Sequence, residues 1–197
     1  MYKYIRFWTK MTAVYLLYGI LAAIGVLTYS YFIVRVDFKE YGMNMVWGVY
    51  MTLFMYGVSI SKKCYGIPFS IAFGAVRKNT LKGYFFTEWI LMILCTVIAS
   101  VLGFNEINGK TFELISWLLI GAASGQYVAE AFGKGKKSAV IVIISTITLL
   151  LPFADFILYS TKSSLMIEKP IVIFGIIYYC VISMMTIKHT MQLEVRV

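Results

Sequence analysis

The chain has 197 residues, of which 60% are hydrophobic and only 14% charged, with a mean hydropathy of +0.81 and a formal net charge of +9. Soluble domains carry roughly 25% charged residues, so charge this sparse excludes a water-coated globule and points to an integral membrane protein. At about 20 apolar residues per crossing, the length accommodates about six spans in one membrane domain and leaves no room for a soluble domain of useful size.

Residues 1–10, MYKYIRFWTK, are basic and aromatic. Tyr4, Phe7 and Trp8 fall on one helical face, and Lys3, Arg6 and Lys10 fall largely elsewhere, which predicts a short helix in the headgroup layer. The apolar run that follows, Met11 to Val34, is longer than the core of a signal peptide and lacks a clear cleavage site. It is expected to stay as the first span, 11–34. A loop of balanced charge leads to span two, 45–61. The stretch 62–82 then carries Lys62, Lys63, Arg77, Lys78 and Lys82 with no acidic residue. Inside it, residues 66–79 predict a short amphipathic helix: Pro68 suits a first turn, Ile71, Phe73, Ala75 and Val76 supply apolar surface, and Gly74 with Arg77-Lys78-Asn79 supplies the stop. Span three is expected at 83–103 and span four at 115–132, followed by the basic turn 133–137. Span five is expected at 138–158, with Pro152 kinking or ending it. Whether 152–169 dips into the outer leaflet without crossing stays open. Span six is expected at 170–187, with Pro170 in its first turn.

The basic residues test this layout. Of the 18 Lys and Arg, 13 fall in the N-terminus, the 62–82 stretch, the 133–137 turn and the tail. The other 5 share their loops with Asp37, Glu40, Glu106, Glu113 and Glu168. The positive-inside rule therefore places both termini and the 62–82 stretch in the cytoplasm, giving an all-α polytopic membrane protein with six transmembrane helices. Basic residues gathered at the ends of apolar runs are accounted for by topology and anionic lipid, so no nucleic acid partner is expected.

Cys64, Cys95 and Cys180 have no neighbouring Cys or His at ligand spacing, and the single histidine is His189. Neither a disulfide framework nor a metal site is predicted. Gly103, Gly109, Lys110 and Thr111 do not make a phosphate loop, because the spacing is one residue too long and no strand precedes it. No catalytic constellation is present, and the chain is not expected to be an enzyme. Gly121 and Gly125 form a small-residue pair in span four, suited to close helix packing. Glu88, Glu130 and Asp155 are acidic residues near membrane depth, where ionisable groups are costly and are functional candidates. Glu88 would sit about five residues, roughly 8 Å, past the start of span three. Pairing with Lys62, Lys63 or Lys82 is weighed against a proton relay. Glu130 would meet Lys134 or Lys136, and Asp155 would cap a broken helix at the outer surface.

The run Phe69-Ser-Ile-Ala-Phe-Gly-Ala-Val-Arg-Lys78 ahead of Gly83 resembles the short apolar helix and Gly-x-x-Arg-Lys element of small bacterial ABC-transporter permeases of the type-2 exporter class. Ala131-Phe132-Gly133-Lys134 is similar to a turn of the same family. The resemblance implies that the element between spans two and three is a coupling helix that docks on a cytoplasmic ATPase. Phe69, Phe73, Gly74, Arg77 and Lys78 would be its docking residues. It further implies a second transmembrane subunit, identical or paralogous, residence in the bacterial cytoplasmic membrane, and no cofactor in this chain, with ATP and Mg on the partner ATPase. The low polarity of the spans suits a hydrophobic or peptide-like export substrate. The alternatives are the six-span substrate-binding subunit of a vitamin importer and a non-transporting immunity or assembly protein.

Overall fold

The computed structural model describes residues 2–29, 43–101, 110–132, 138–160 and 168–192. Every regular element among them is helical. The long helices are α1 (Tyr2–Tyr29), α2 (Met43–Ser61), α4 (Arg77–Val101), α5 (Lys110–Ala131), α6 (Ser138–Ser160) and α7 (Glu168–Gln192). Between α2 and α4 lie a π-helical turn, Lys62–Gly66, and a short helix, α3 (Ile67–Ala72).

Several boundaries differ from the sequence expectation, each for a local reason. The separate helix expected at 1–10 is the opening of α1. No glycine or proline occurs from Tyr2 to Tyr18, so nothing stops the helical hydrogen bonds from running on. The single helix expected over 66–79 is two helices. Pro68 lies in the first turn of α3, as read. The helix closes in a Schellman arrangement: the Gly74 N–H donates to the Ile71 carbonyl at 2.9 Å and the Ala75 N–H to that of Ser70 at 3.0 Å. Gly74 takes φ +83°, a conformation open to glycine at little cost. Arg77, Lys78 and Asn79 do not end this helix; they open α4, six residues before the expected start. Glu88 accordingly lies eleven residues into α4, about 16 Å along it. Pro152 does not end α6, which continues to Ser160. Pro170 falls in the first turn of α7.

The bundle is built around α5, which packs on α2, α7 and α6. Gly121 and Gly125 make the α2 contact possible. A Cβ on Gly121 would fall against the backbone carbonyl of Thr52, and one on Gly125 against that of Tyr56. The two backbones touch directly, which only small residues permit. Met51, Met55 and Val58 of α2, Leu91 and Cys95 of α4, Leu118 and Ala122 of α5, and Ile182 of α7 fill the core.

The outside is as apolar as the inside. Leu17, Leu21 and Ile24 on α1, Ile93 and Val97 on α4, Ile143 and Ile147 on α6, and Ile173 and Ile177 on α7 are exposed. Among the described residues, two helices, Arg77–Ile98 within α4 and Pro170–Gln192 within α7, are long and apolar enough to cross a membrane; Ala139–Leu151 in α6 is a shorter apolar stretch.

Candidate functional site

Two features stand out at the end of the bundle where α2 gives way to α4. One is an exposed aromatic platform. Phe69 and Phe73 are 51% and 72% exposed, with ring centroids 4.5 Å apart. Tyr65 before them and Val76 after them are also exposed. The platform is firmly seated. Ser70 is buried, and its hydroxyl donates to the Ile67 carbonyl and to Thr80 Oγ1. Trp8 of α1 is fully buried. Its indole occupies the space that side chains on Gly66 and Gly83 would need, and it meets the Tyr84 ring edge-on. Phe7, beside it, stacks on Phe69 at 5.7 Å. The amino-terminal turns of α1 thus brace the platform from beneath.

The predicted docking residues fall on α3 (Phe69), on the turn after it (Phe73 and Gly74) and on the first turn of α4 (Arg77 and Lys78). Their roles are not equal. Lys78 is exposed. Arg77 is half-buried, and its Nη1 donates to the Met191 carbonyl at 2.9 Å. That bond fastens the start of α4 to the last turn of α7.

The second feature is a buried polar network. Glu88 is fully buried in α4 and accepts from four helices. Ser59 Oγ of α2 and Tyr84 OH of α4 donate to its Oε1 at 2.7 and 3.2 Å. Gln126 Nε2 of α5 and Tyr179 OH of α7 donate to its Oε2 at 2.8 and 2.9 Å. Four donors fill the sites an ionised carboxylate offers. The expected partners Lys62, Lys63 and Lys82 are replaced here by hydroxyls and an amide, all neutral. Lys62 turns instead to Thr87 Oγ1, 2.7 Å away, with its ammonium 5.9 Å from the Tyr84 ring centre.

Lys63 crosses the bundle. Its ammonium donates to Glu130 Oε1 at 3.0 Å, to the Gln126 carbonyl at 2.9 Å and to Thr186 Oγ1 at 3.0 Å. The Thr186 hydroxyl donates in turn to Gln126 Oε1 at 3.1 Å, which joins this group to Glu88. His189 Nδ1 lies 3.4 Å from Glu130 Oε2, at the half-exposed rim. Glu130 is thus paired by Lys63, where the sequence suggested Lys134 or Lys136, which lie outside the described residues. Asp155 lies within α6, and its side chain is likewise outside them.

The positive-inside rule places Lys62 and Lys63 in the cytoplasmic stretch, with pairing to Glu88 as one reading. Both are buried. A signal was available on the acceptor side. Gln126 and Glu130 are four apart in an otherwise apolar helix, and Tyr179 and Thr186 are seven apart in another, so each pair shares a face. Burial pushes the Lys62 ammonium down to about 8, with the Glu88 charge acting in the opposite sense. Burial likewise raises the Cys64 thiol, against the pull of Lys63. Among the described residues no group of three His, Cys, Asp or Glu gathers as a metal site.

Comparison with family models, with curated proteins and with solved structures gives no match.

Proposed function

We propose that the chain is the six-span transmembrane subunit of an ABC-type exporter in the bacterial cytoplasmic membrane, with both termini inside. A separate ATPase subunit, carrying ATP and Mg, would dock on the platform formed by Phe69 and Phe73. A second transmembrane subunit would complete the pathway for a hydrophobic or peptide-like substrate.

The observation that carries this reading is the exposure of two aromatic rings on a short, well-braced helix between two long ones. A mobile loop tip could expose aromatics without meaning. Here a Schellman turn, a buried tryptophan and a hydroxyl pair hold them outward. Clustered aromatics on a rigid base, flanked by the exposed cation Lys78, suit a groove with an acidic rim. The basic residues of the same end support a cytoplasmic position.

Affinity purification from mild detergent tests the proposal. An ATPase should accompany the wild-type chain and be lost from Phe73→Ala/Lys78→Glu. Truncating a central aromatic anchor costs about 2 kcal/mol, roughly a 30-fold weakening. If no ATPase accompanies the wild type with or without nucleotide, the exporter reading fails and a non-transporting assembly role replaces it.

A further inference from the structure

The platform is attached to the bundle on both sides, and both attachments reach the last turns of α7. Ahead of it, Lys63 donates to Thr186; behind it, Arg77 donates to the Met191 carbonyl. The two lysines of the π-helical turn also diverge. Lys62 is bonded to Thr87 on α4, and Lys63 to Glu130 and Gln126 on α5 and Thr186 on α7. One wide turn therefore grips α4 through one lysine and α5 and α7 through the other. Turns of this kind are uncommon and often mark functional positions, because they carry one residue more than the α-helix around them. Further along, Tyr179 joins α7 to Glu88 of α4. It lies seven residues from Thr186, about 10 Å along the helix.

We infer that Lys63 is the positioning residue through which a push on the Phe69–Phe73 platform moves α7 relative to α4, with the Glu88–Tyr179 bond as the pivot. The inference rests on the docking reading above and deepens it. The ammonium has three N–H donors, and three acceptors stand at 2.9 to 3.0 Å from it. Lys63 is only 7% exposed there. Releasing a buried charge from its partner is strongly unfavourable, so the link follows the backbone that carries it. Lys63 lies four residues before α3 in the same continuous helical stretch, so displacement of the platform reaches it without an intervening loop. Lys62 holds α4 in the same movement, so the two walls are driven apart or together instead of shifting as one.

The test uses electron spin resonance distances between labels at Ile93→Cys on α4 and Ile177→Cys on α7, both exposed and both beyond the pivot. Cys64, Cys95 and Cys180 are first replaced by alanine. The complex with its co-purified ATPase is measured at rest and trapped with ATP, Mg and vanadate. The wild-type distance should change by about 5 Å, the scale of a one-turn helix shift. Lys63→Met should keep the ATPase and lose the change, and Lys63→Arg should recover it. Thr186→Val, which removes only the α7 acceptor, should reduce the change by at least half and guards against misfolding of the first variant. An undiminished change in both Lys63→Met and Thr186→Val overturns the inference, as does loss of the ATPase from Lys63→Met alone. Absence of the ATPase from the wild type is a different result: it overturns the docking reading, and the inference falls with it.

Discussion

The buried network around Glu88 and the platform around Phe73 are opposites. Inside the bundle, Lys62, Lys63, Glu88 and Glu130 bring two positive and two negative charges, and each is met by named donors or acceptors. On the platform, large aromatic rings face outward with no covering element among the described residues. The charged groups of the interior are met from within the chain. The platform is complete only as a structure, since its backbone is satisfied and its rings are not buried. The contrast separates what holds this protein together from what it leaves exposed. Substitutions in the two places should fail in different ways.

Glu88→Leu should show the largest effect. It leaves Ser59, Tyr84, Gln126 and Tyr179 facing an apolar side chain, and each buried donor left unsatisfied costs about 1–3 kcal/mol. Thermal unfolding in detergent should shift sharply downward, whereas Ser59→Ala, which removes one donor, should cost about 1 kcal/mol. Gly125→Val comes next. Its side chain would have to displace the Tyr56 carbonyl of α2, and overpacking of this kind costs about 1–3 kcal/mol. Phe73→Ala should do the reverse of both. Unfolding should stay within about 0.5 kcal/mol of wild type, as for exposed positions generally, while partner recovery falls. A large loss of stability from Phe73→Ala would erase the distinction between the two regions.

A further effect is a slope with pH. Folding lowers the Lys62 ammonium from 10.5 to about 8. Between those values the unfolded chain binds the proton and the folded chain releases it. Stability therefore rises with pH across that window, and the penalty of the buried charge is fully present below about 8. Unfolding temperatures of wild type and Lys62→Met, measured from pH 7 to pH 10, should converge as the pH rises. Parallel curves would show that Lys62 is not buried as a charge.

The sequence made the helices legible, because long apolar runs bounded by charge leave few alternatives. It also made Gly121 and Gly125 legible, because two small residues four apart have few other uses in such a run. Helix ends were harder to place. Arg77-Lys78-Asn79 reads equally well as a stop and as a start, and the φ of Gly74 decided between them. The interior network was half-visible. Glu88 and Glu130 stood out as acids among apolar residues, but their partners did not. Serine, threonine and tyrosine are common in such helices, and nothing in a linear chain shows that Ser59, Gln126 and Tyr179 converge. Lys63 was hidden by a rule that is correct on average: lysines at a span end usually face the headgroups.

The docking claim is tested most directly in intact membranes. Phe73→benzoylphenylalanine would be irradiated beside Ile147→benzoylphenylalanine, an exposed position on the apolar face of α6. The account predicts a protein adduct from position 73, whose peptides carry a phosphate-binding loop, and none from position 147. Lipid adducts alone from both positions would contradict it, for the platform would then lie in the bilayer and not against a partner.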